Sequence, residues 1–277
     1  MELYDKTCLE CSEVFTHRYS TSFYKGIQVL HPSLRKPIHG IYGFVRLADE
    51  IVDTFHQFPK RELLSEFKVQ VYKAIDGKLS TNPILHSFQL VVNEYSIPKE
   101  LIDAFLLSME MDLDKTAYST DEYKKYIYGS AEVVGLMCLK VFCKGNEVQY
   151  SNLTPAARRL GEAFQKVNFL RDVRDDYLGK GRVYFPLVDF KNFTEIQKRE
   201  IEADIEADFD AALIGLKQLP NEAKPGVLLA YVYFRQLLNA IRRVKANDIT
   251  NRRIRVSDLV KIYLLIKVKL MIAFRAI

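Results

Sequence analysis

An all-α, single-domain helical bundle is the fold this chain predicts, on three observations. Apolar residues recur at helical spacing along almost the whole length, β-branched alternation bounded by turn signals is nearly absent, and 277 residues at 48% hydrophobic suffice for one large core. One domain is therefore expected over 1–277. Helices are expected at about 7–30, 36–56, 60–76, 83–95, 98–115, 120–144, 154–179, 192–218, 223–246 and 256–274. "HPSLRKP" at 31–37 divides the first two, while "STNP" at 80–83 and "SIP" at 96–98 precede the fourth and fifth. "KGN" at 144–146 closes the sixth, "LTP" at 153–155 opens the seventh and "GKGRVYFP" at 179–186 follows it. "LPNEAKPG" at 219–226 separates the next pair. None of these is long enough for an interdomain linker, and there is no low-complexity tract or solenoid period.

The net charge of +5 and pI near 8.8 are mildly basic, with Lys and Arg somewhat concentrated in "IRRVKANDITNRRIRV" at 241–256. That balance permits attraction to anionic substrates or an anionic membrane surface. No nucleic-acid partner is expected. Cys8, Cys11, Cys138 and Cys143 form no disulfide framework, and only the first two have the spacing of half a zinc site, so reduced, packed thiols are expected. The charged opening "MELYDKTCLECSE" predicts no signal peptide, and no stretch is expected to reach the roughly 18 uncharged apolar residues of a membrane span. The nearest, "LVKIYLLIKVKLMIAF" at 259–274, is interrupted by three lysines and reads as an amphipathic helix that closes the core, ahead of one lying on a membrane surface.

"VRLADEIVDTFH" at 45–56 places Asp49, Glu50 and Asp53 on an otherwise apolar helix, just after Arg46. A second acidic stretch, "FQKVNFLRDVRDDYLGKGRVYFP" at 164–186, carries Gln165, Asn168, Asp172 and Asp176 at steps of three, four and four, one stripe on a helix face. Carboxylates one turn apart repel, and two such pairs facing each other need cations between them. Oxygen donors of this kind suit Mg²⁺ or Mn²⁺, hard ions that bind through a few carboxylates and substrate phosphates. Arg46, Arg171, Lys180, Arg182 and Tyr184 add forks and a hydroxyl for phosphate oxygens. The chemistry suggested is departure of diphosphate as a leaving group.

These residues carry a resemblance. The chain is similar to the squalene and phytoene synthases, the head-to-head trans-prenyltransferases, and most of all to bacterial phytoene synthases, from about residue 15 to about 240. "YSTSFY" at 19–24 resembles the family's S-x-S-F element and "IYGFVRLADEIVD" at 41–53 its first aspartate-rich helix. "YIYGSAEVVGLM" at 126–137 resembles the Tyr-rich segment, and "QKVNFLRDVRDDYLGKGRVYFP" at 165–186 the second aspartate-rich region with its R-x-Y-x-P tail. The resemblance implies the class I isoprenoid synthase fold, a helical bundle around a central cavity. It makes Asp49, Asp53, Asn168, Asp172 and Asp176 the metal ligands, the four aspartates serving catalysis together with Tyr128. Ser20, Ser22, Arg46, Arg171, Arg182 and Tyr184 would contact diphosphate or order the loop above it. Phe23, Tyr42, Tyr128, Val134 and Gln165 would line the pocket or face cationic intermediates. Glu132-Val133 departs from the family's G-T, putting a carboxylate into the expected pocket wall, and Glu50 replaces an aspartate common in the first motif.

The implied reaction joins two allylic diphosphates through a cyclopropylcarbinyl diphosphate. With no Gly-rich dinucleotide fingerprint, phytoene from geranylgeranyl diphosphate is preferred and no NADPH is expected, farnesyl diphosphate giving squalene or dehydrosqualene being the alternative. A head-to-tail elongase or terpene cyclase would want D-D-x-x-D or N-S-E patterns that are not found. A di-metal oxidase would want Glu-x-x-His repeats, of which Asp53-x-x-His56 is a poor copy, so His56 reads as surface or supporting and His17, His31, His39 and His86 as structural. A silent scaffold member would have lost ligands that are all present. The expected location is cytoplasmic, with peripheral attachment to the inner membrane through basic and apolar surface.

Overall fold

The computed structural model describes residues 1–179, 181–186, 188–251 and 253–273. Among these run α1 (Glu2–Tyr19), α2 (Thr21–Gln28), α3 (Pro32–Asp53), α4 (Lys60–Gly77), α5 (Pro83–Glu94) and α6 (Lys99–Asp114). Then come α7 (Thr120–Ile127), α8 (Val133–Cys143), α9 (Glu147–Val173), α10 (Glu195–Leu216), α11 (Lys224–Arg242) and α12 (Asp258–Ala273). The described residues contain no strand, only an isolated parallel bridge between Ala117 and Val183.

Capping chemistry explains where the boundaries depart from periodicity. The helix expected over 7–30 is two, because Ser20 adopts extended backbone (φ −148°) and its Oγ accepts from Phe23 N at 3.2 Å, starting α2 afresh. α3 begins at Pro32 behind a His31 cap and carries Pro37 inside. Asn82 Oδ1 accepts from Ile84 N and Leu85 N to start α5. Asn146 Oδ1 accepts from Gln149 N at 3.0 Å, so α9 starts well before the expected 154 and "LTP" lies within it, Pro155 included. Ser119 with Glu122 and Thr194 with Gln197 form capping boxes at α7 and α10. The expected helix at 120–144 widens into a π turn at Tyr128–Glu132 between α7 and α8, and another π turn, Arg174–Gly179, extends α9. The end of the expected last helix, Phe274, lies outside the described residues.

One apolar core runs through the bundle. At one end Phe44 of α3 stacks on Phe88 of α5 with centroids 3.9 Å apart and meets Phe67 of α4 and Phe105 of α6. At the other, Phe164 of α9 stacks on Phe234 of α11 at 4.0 Å. Thr120–Cys143 is apolar enough by length and composition to cross a membrane, correcting the expectation that no stretch would be, yet 67% of that window is buried inside the fold. α12 packs on α11 through buried Leu264 and Val268, as a core-closing helix should. The four cysteines are free, and burial pushes the Cys138 thiol up to about 12 and Cys143 to about 11.

Backbones approach closely around the first π turn. A Cβ on Gly129 would lie 2.3 Å from the Ala104 carbonyl oxygen of α6, and one on Gly161 of α9 would lie 2.9 Å from Ala131 O and Glu132 Cα. α10 is fastened to α9 by the buried Lys166, whose ammonium meets Asp204, Asp208 at 2.7 Å and Glu162 at 2.8 Å. Burial opposes that charge, but the three carboxylates prevail and hold its pKa above the ordinary lysine value.

His39 is wholly buried, with Nδ1 2.9 Å from Thr16 Oγ1. Since Thr16 donates its own proton to Ser12 O, His39 Nδ1 is the donor, and Nε2 is left without a hydrogen-bond partner among the described residues. Burial holds its pKa down to about 4 from 6.5, so the unfolded chain takes up a proton first as pH falls. Stability is therefore full above pH 6.5 and declines from there toward about 4, and His39→Gln should flatten that part of a urea-midpoint profile. Gly129→Ala and Gly161→Ala should each lower unfolding free energy by roughly 1–3 kcal/mol, read from denaturant midpoints.

Candidate active site

α3 carries Tyr42, Arg46, Asp49 and Asp53 at helical spacing, all half-buried. Arg46 forks onto Asp49 and Glu50, and its guanidinium lies 4.6 Å over the Tyr19 ring. Glu50 is buried, so this substituted position serves as an arginine partner. Phe23 stands 5.7 Å from the Tyr42 ring, and burial raises the Tyr42 pKa against the pull of Ser20 and Arg46. The break between α1 and α2 thus brings Phe23 of the S-x-S-F element to the α3 face, with Ser22 beside it half-buried.

On α9, Gln165, Asn168, Arg171 and Asp172 are likewise half-buried. Arg171 binds Asp172 through two contacts, Nε to Oδ1 at 3.0 Å and a second from Nη2 to Oδ2. The Arg253 Nε, from the segment before α12, lies 2.7 Å from the same Oδ1 as an ion pair, and its Nη1 lies 4.0 Å from Asp175. Asp176 falls in the wider π turn, so the expected single stripe holds to Asp172 and then changes pitch.

Arg182 joins the two acidic regions. Its backbone N–H donates to Asp176 O at 2.8 Å, and its guanidinium reaches Asp53 Oδ1 at 3.4 Å, the Asp112 carbonyl at 2.5 Å and the Tyr184 hydroxyl at 3.4 Å. Val183 N donates to Thr116 O, pinning the same loop to the end of α6. Tyr184 is buried in an aromatic stack, 4.2 Å from Phe169 and flanked by Tyr118 and Tyr126, which makes it an organiser of the loop. A cleft beside it is lined by Phe169, Val173, Asp176, Arg182, Tyr184, Phe185 and Phe190. Lys180 lies outside the described residues.

Sequence reasoning missed Asp112, which accepts from Tyr126 at 2.8 Å and Tyr118 at 3.3 Å and sits 3.7 Å from Arg182 Nη1. Burial pushes its carboxyl up to about 6, with Arg182 and Tyr126 opposing. Its only sequence signal is a place in the acidic run "EMDLD" at 110–114. Arg253 was visible only as part of the basic run at 241–256.

Tyr128 occupies the first π turn beneath the Arg158 guanidinium, 5.1 Å from its ring centroid, and Val134 is half-buried on α8. Arg158 also binds Glu132 at 2.5 Å, which accounts for the carboxylate at that departure: it is turned to α9 and paired, while Val133 is core. His56 is an exposed surface histidine beside Lys60, while His86 bonds Asp5 and His31 caps α3 in structural roles.

Among the described residues no three His, Cys, Asp or Glu side chains converge on one point, and guanidinium groups lie against the expected metal ligands. The donor set nonetheless fits a hard divalent ion. Every donor is an oxygen, and Asn168 Oδ1 is buried beside Asp172 without a hydrogen-bond partner among the described residues.

An all-α bundle that brings two aspartate-bearing helices together through arginines has the isoprenoid synthase fold, and a solved dehydrosqualene synthase in complex with ligand superposes on it. The TM-score is 0.82 at 22% identity, covering 97% of this chain and 98% of that one. The chain belongs to the squalene/phytoene synthase family, whose model matches residues 16–259. It is 28% identical over 279 positions to phytoene synthase 2, chloroplastic, of Zea mays, and 29% over 277 to phytoene synthase, chloroplastic, of Daucus carota. Those alignments cover 91% and 90% of this chain, and the chain spans 65% of the length of each relative.

Removing the Arg182 fork strands a buried carboxylate. Arg182→Ala should cost roughly 1–3 kcal/mol of stability and speed hydrogen exchange through residues 174–179 and 181–186, with Arg182→Lys restoring charge but little of the protection.

Proposed function

We propose that this chain is a prenyltransferase that condenses two allylic diphosphates head to head, making phytoene from geranylgeranyl diphosphate. The supporting observation is the pairing of two acidic motifs across arginines. Arg46, Arg171, Arg182 and Arg253 all lie against the carboxylates of Asp49, Asp53 and Asp172. A diphosphate entering there meets several guanidinium forks, and the Ser20 and Ser22 hydroxyls would add contacts to it. Asp49, Asp53, Asn168, Asp172 and Asp176 would hold Mg²⁺ or Mn²⁺, which when bound supplies Lewis-acid charge to the leaving group.

The chain's own residues do the rest. The arginines orient each diphosphate and take up charge as the C1–O bond of the first substrate breaks. The allylic cation is attacked by the double bond of the second substrate, and loss of a proton gives the cyclopropylcarbinyl diphosphate. Departure of the second diphosphate and rearrangement join the two C1 carbons, and a final proton loss, to the departing diphosphate, leaves a neutral hydrocarbon. Phe23, Tyr42, Tyr128 and Val134 are half-buried or exposed on the inner elements, offering apolar surface and ring faces that exclude water and favour positive charge. The carboxylate at Glu132 does not spoil this wall, because Arg158 neutralises it.

Phytoene is preferred because the curated relatives above are phytoene synthases; the fold-level likeness to a dehydrosqualene synthase favours farnesyl diphosphate as the second reading. Incubation with each diphosphate and Mg²⁺, with and without NADPH, followed by mass spectrometry, separates them. The expected product is a C40 hydrocarbon without NADPH. A product that retains diphosphate would overturn head-to-head joining. Asp53→Ala combined with Asp172→Ala should lower turnover by about 10²-fold or more, and unchanged turnover would remove the metal assignment.

A further inference from the structure

α12 buries one face and leaves the other apolar. Leu259, Ile262, Tyr263, Ile266 and Leu270 are 80%, 48%, 62%, 53% and 52% exposed, while Leu264 and Val268 opposite them are packed in the core. At about 100° per residue the five fall within one stripe roughly 100° wide, and at about 1.5 Å per residue it runs some 16 Å along the helix. Exposed Lys267 and Lys269 project just beyond its two edges, about 90° and 70° from its centre line. Single exposed apolar residues are ordinary; a continuous stripe flanked by lysines on both edges is an interfacial pattern.

We propose that this face of α12 docks on an anionic lipid surface, lying in the plane of the headgroups with the stripe in the acyl boundary and the lysines on the phosphates. Charge selects this occupant over a second copy of the chain. The helix carries three lysines against one aspartate, and that aspartate, Asp258, is held by Lys261 at 3.0 Å. Two copies packed stripe to stripe would bring lysines together with no acidic partner on the face, whereas an anionic bilayer complements them. The basic surface continues into exposed Arg253 and Arg255 just before the helix.

The placement also matters. Arg253 sits on Asp172 of the acidic site, and Asp258 feels the charge of Lys25 on α2, the short helix that also carries Phe23. α12 therefore starts beside the arginine-lined site, and its lipid face would bring that site to the membrane boundary, where prenyl chains partition. The docking surface itself is independent of the reaction assigned to the site, because it is read without substrate.

The test is flotation of the full chain with phosphatidylcholine vesicles and with vesicles containing about one third phosphatidylglycerol, at low and high salt. Wild type should float with the anionic vesicles and be released by salt. Ile266→Glu with Leu270→Glu should weaken binding at least tenfold, and Lys267→Glu with Lys269→Glu should remove the preference for anionic over neutral vesicles. Circular dichroism melts of both variants, at exposed positions, establish that they fold. Failure of wild type to float, or equal flotation of the Ile266/Leu270 variant, would overturn the proposal. So would a wild-type dimer by light scattering that becomes monomeric in that variant, since the stripe would then be a protein interface. The hydrocarbon assay under Proposed function can fail without any of these outcomes changing.

Discussion

The site depends on one guanidinium. Arg182 touches a carboxylate of α3, the carbonyl at the end of α6 and, through its own backbone, the π turn that carries Asp176. Three elements remote in sequence are held at one point by a group that cannot lose its charge. Tyr184, whose hydroxyl meets this guanidinium, is itself fixed in a stack with Tyr118, Tyr126 and Phe169, which holds the loop in place. Around this anchor Asp49 and Asp172 follow the same rule, set against Arg46 and against Arg171 with Arg253.

That rule explains how so acidic a face can be half-buried. Desolvating a carboxylate is costly, and a bidentate fork is the arrangement that best offsets it. Glu132 in the Tyr-rich segment obeys the same constraint with Arg158, as do Asp204 and Asp208 with Lys166 on the far side of α9. Long helix α9 is thus an electrostatic spine, carrying a cation or carboxylate toward nearly every neighbour.

Much of this was legible in the sequence because it is periodic. The steps between Arg46, Asp49 and Asp53, and between Gln165, Asn168 and Asp172, are local facts of helix geometry, and the fold class follows from the same period. What could not be read depends on tertiary approach or on backbone irregularity. Asp112 looks like one of several surface acids until Tyr118 and Tyr126 bury it, and Arg253 reaches Asp172 only because the segment between α11 and α12 returns to α9. The helix ends misplaced by periodicity are those where a single side chain, Ser20 or Asn146, decides the boundary, and Pro155 misleads because it is accommodated within α9.

The two π turns have a consequence for how this chain can vary in length. A π turn is an α-helix with one residue inserted, so Tyr128–Glu132 and Arg174–Gly179 are tolerated insertions whose flanks still read as helix. Removing one residue from either would restore regular winding and rotate everything on one side by about 100° relative to the other. In the first, that rotation would carry Tyr128 off the inner face and drive the chain at Gly129 and Ala131 out of register with α6 and α9. Both segments are therefore intolerant of a change in length, which would disturb the site even where every side chain in them is kept.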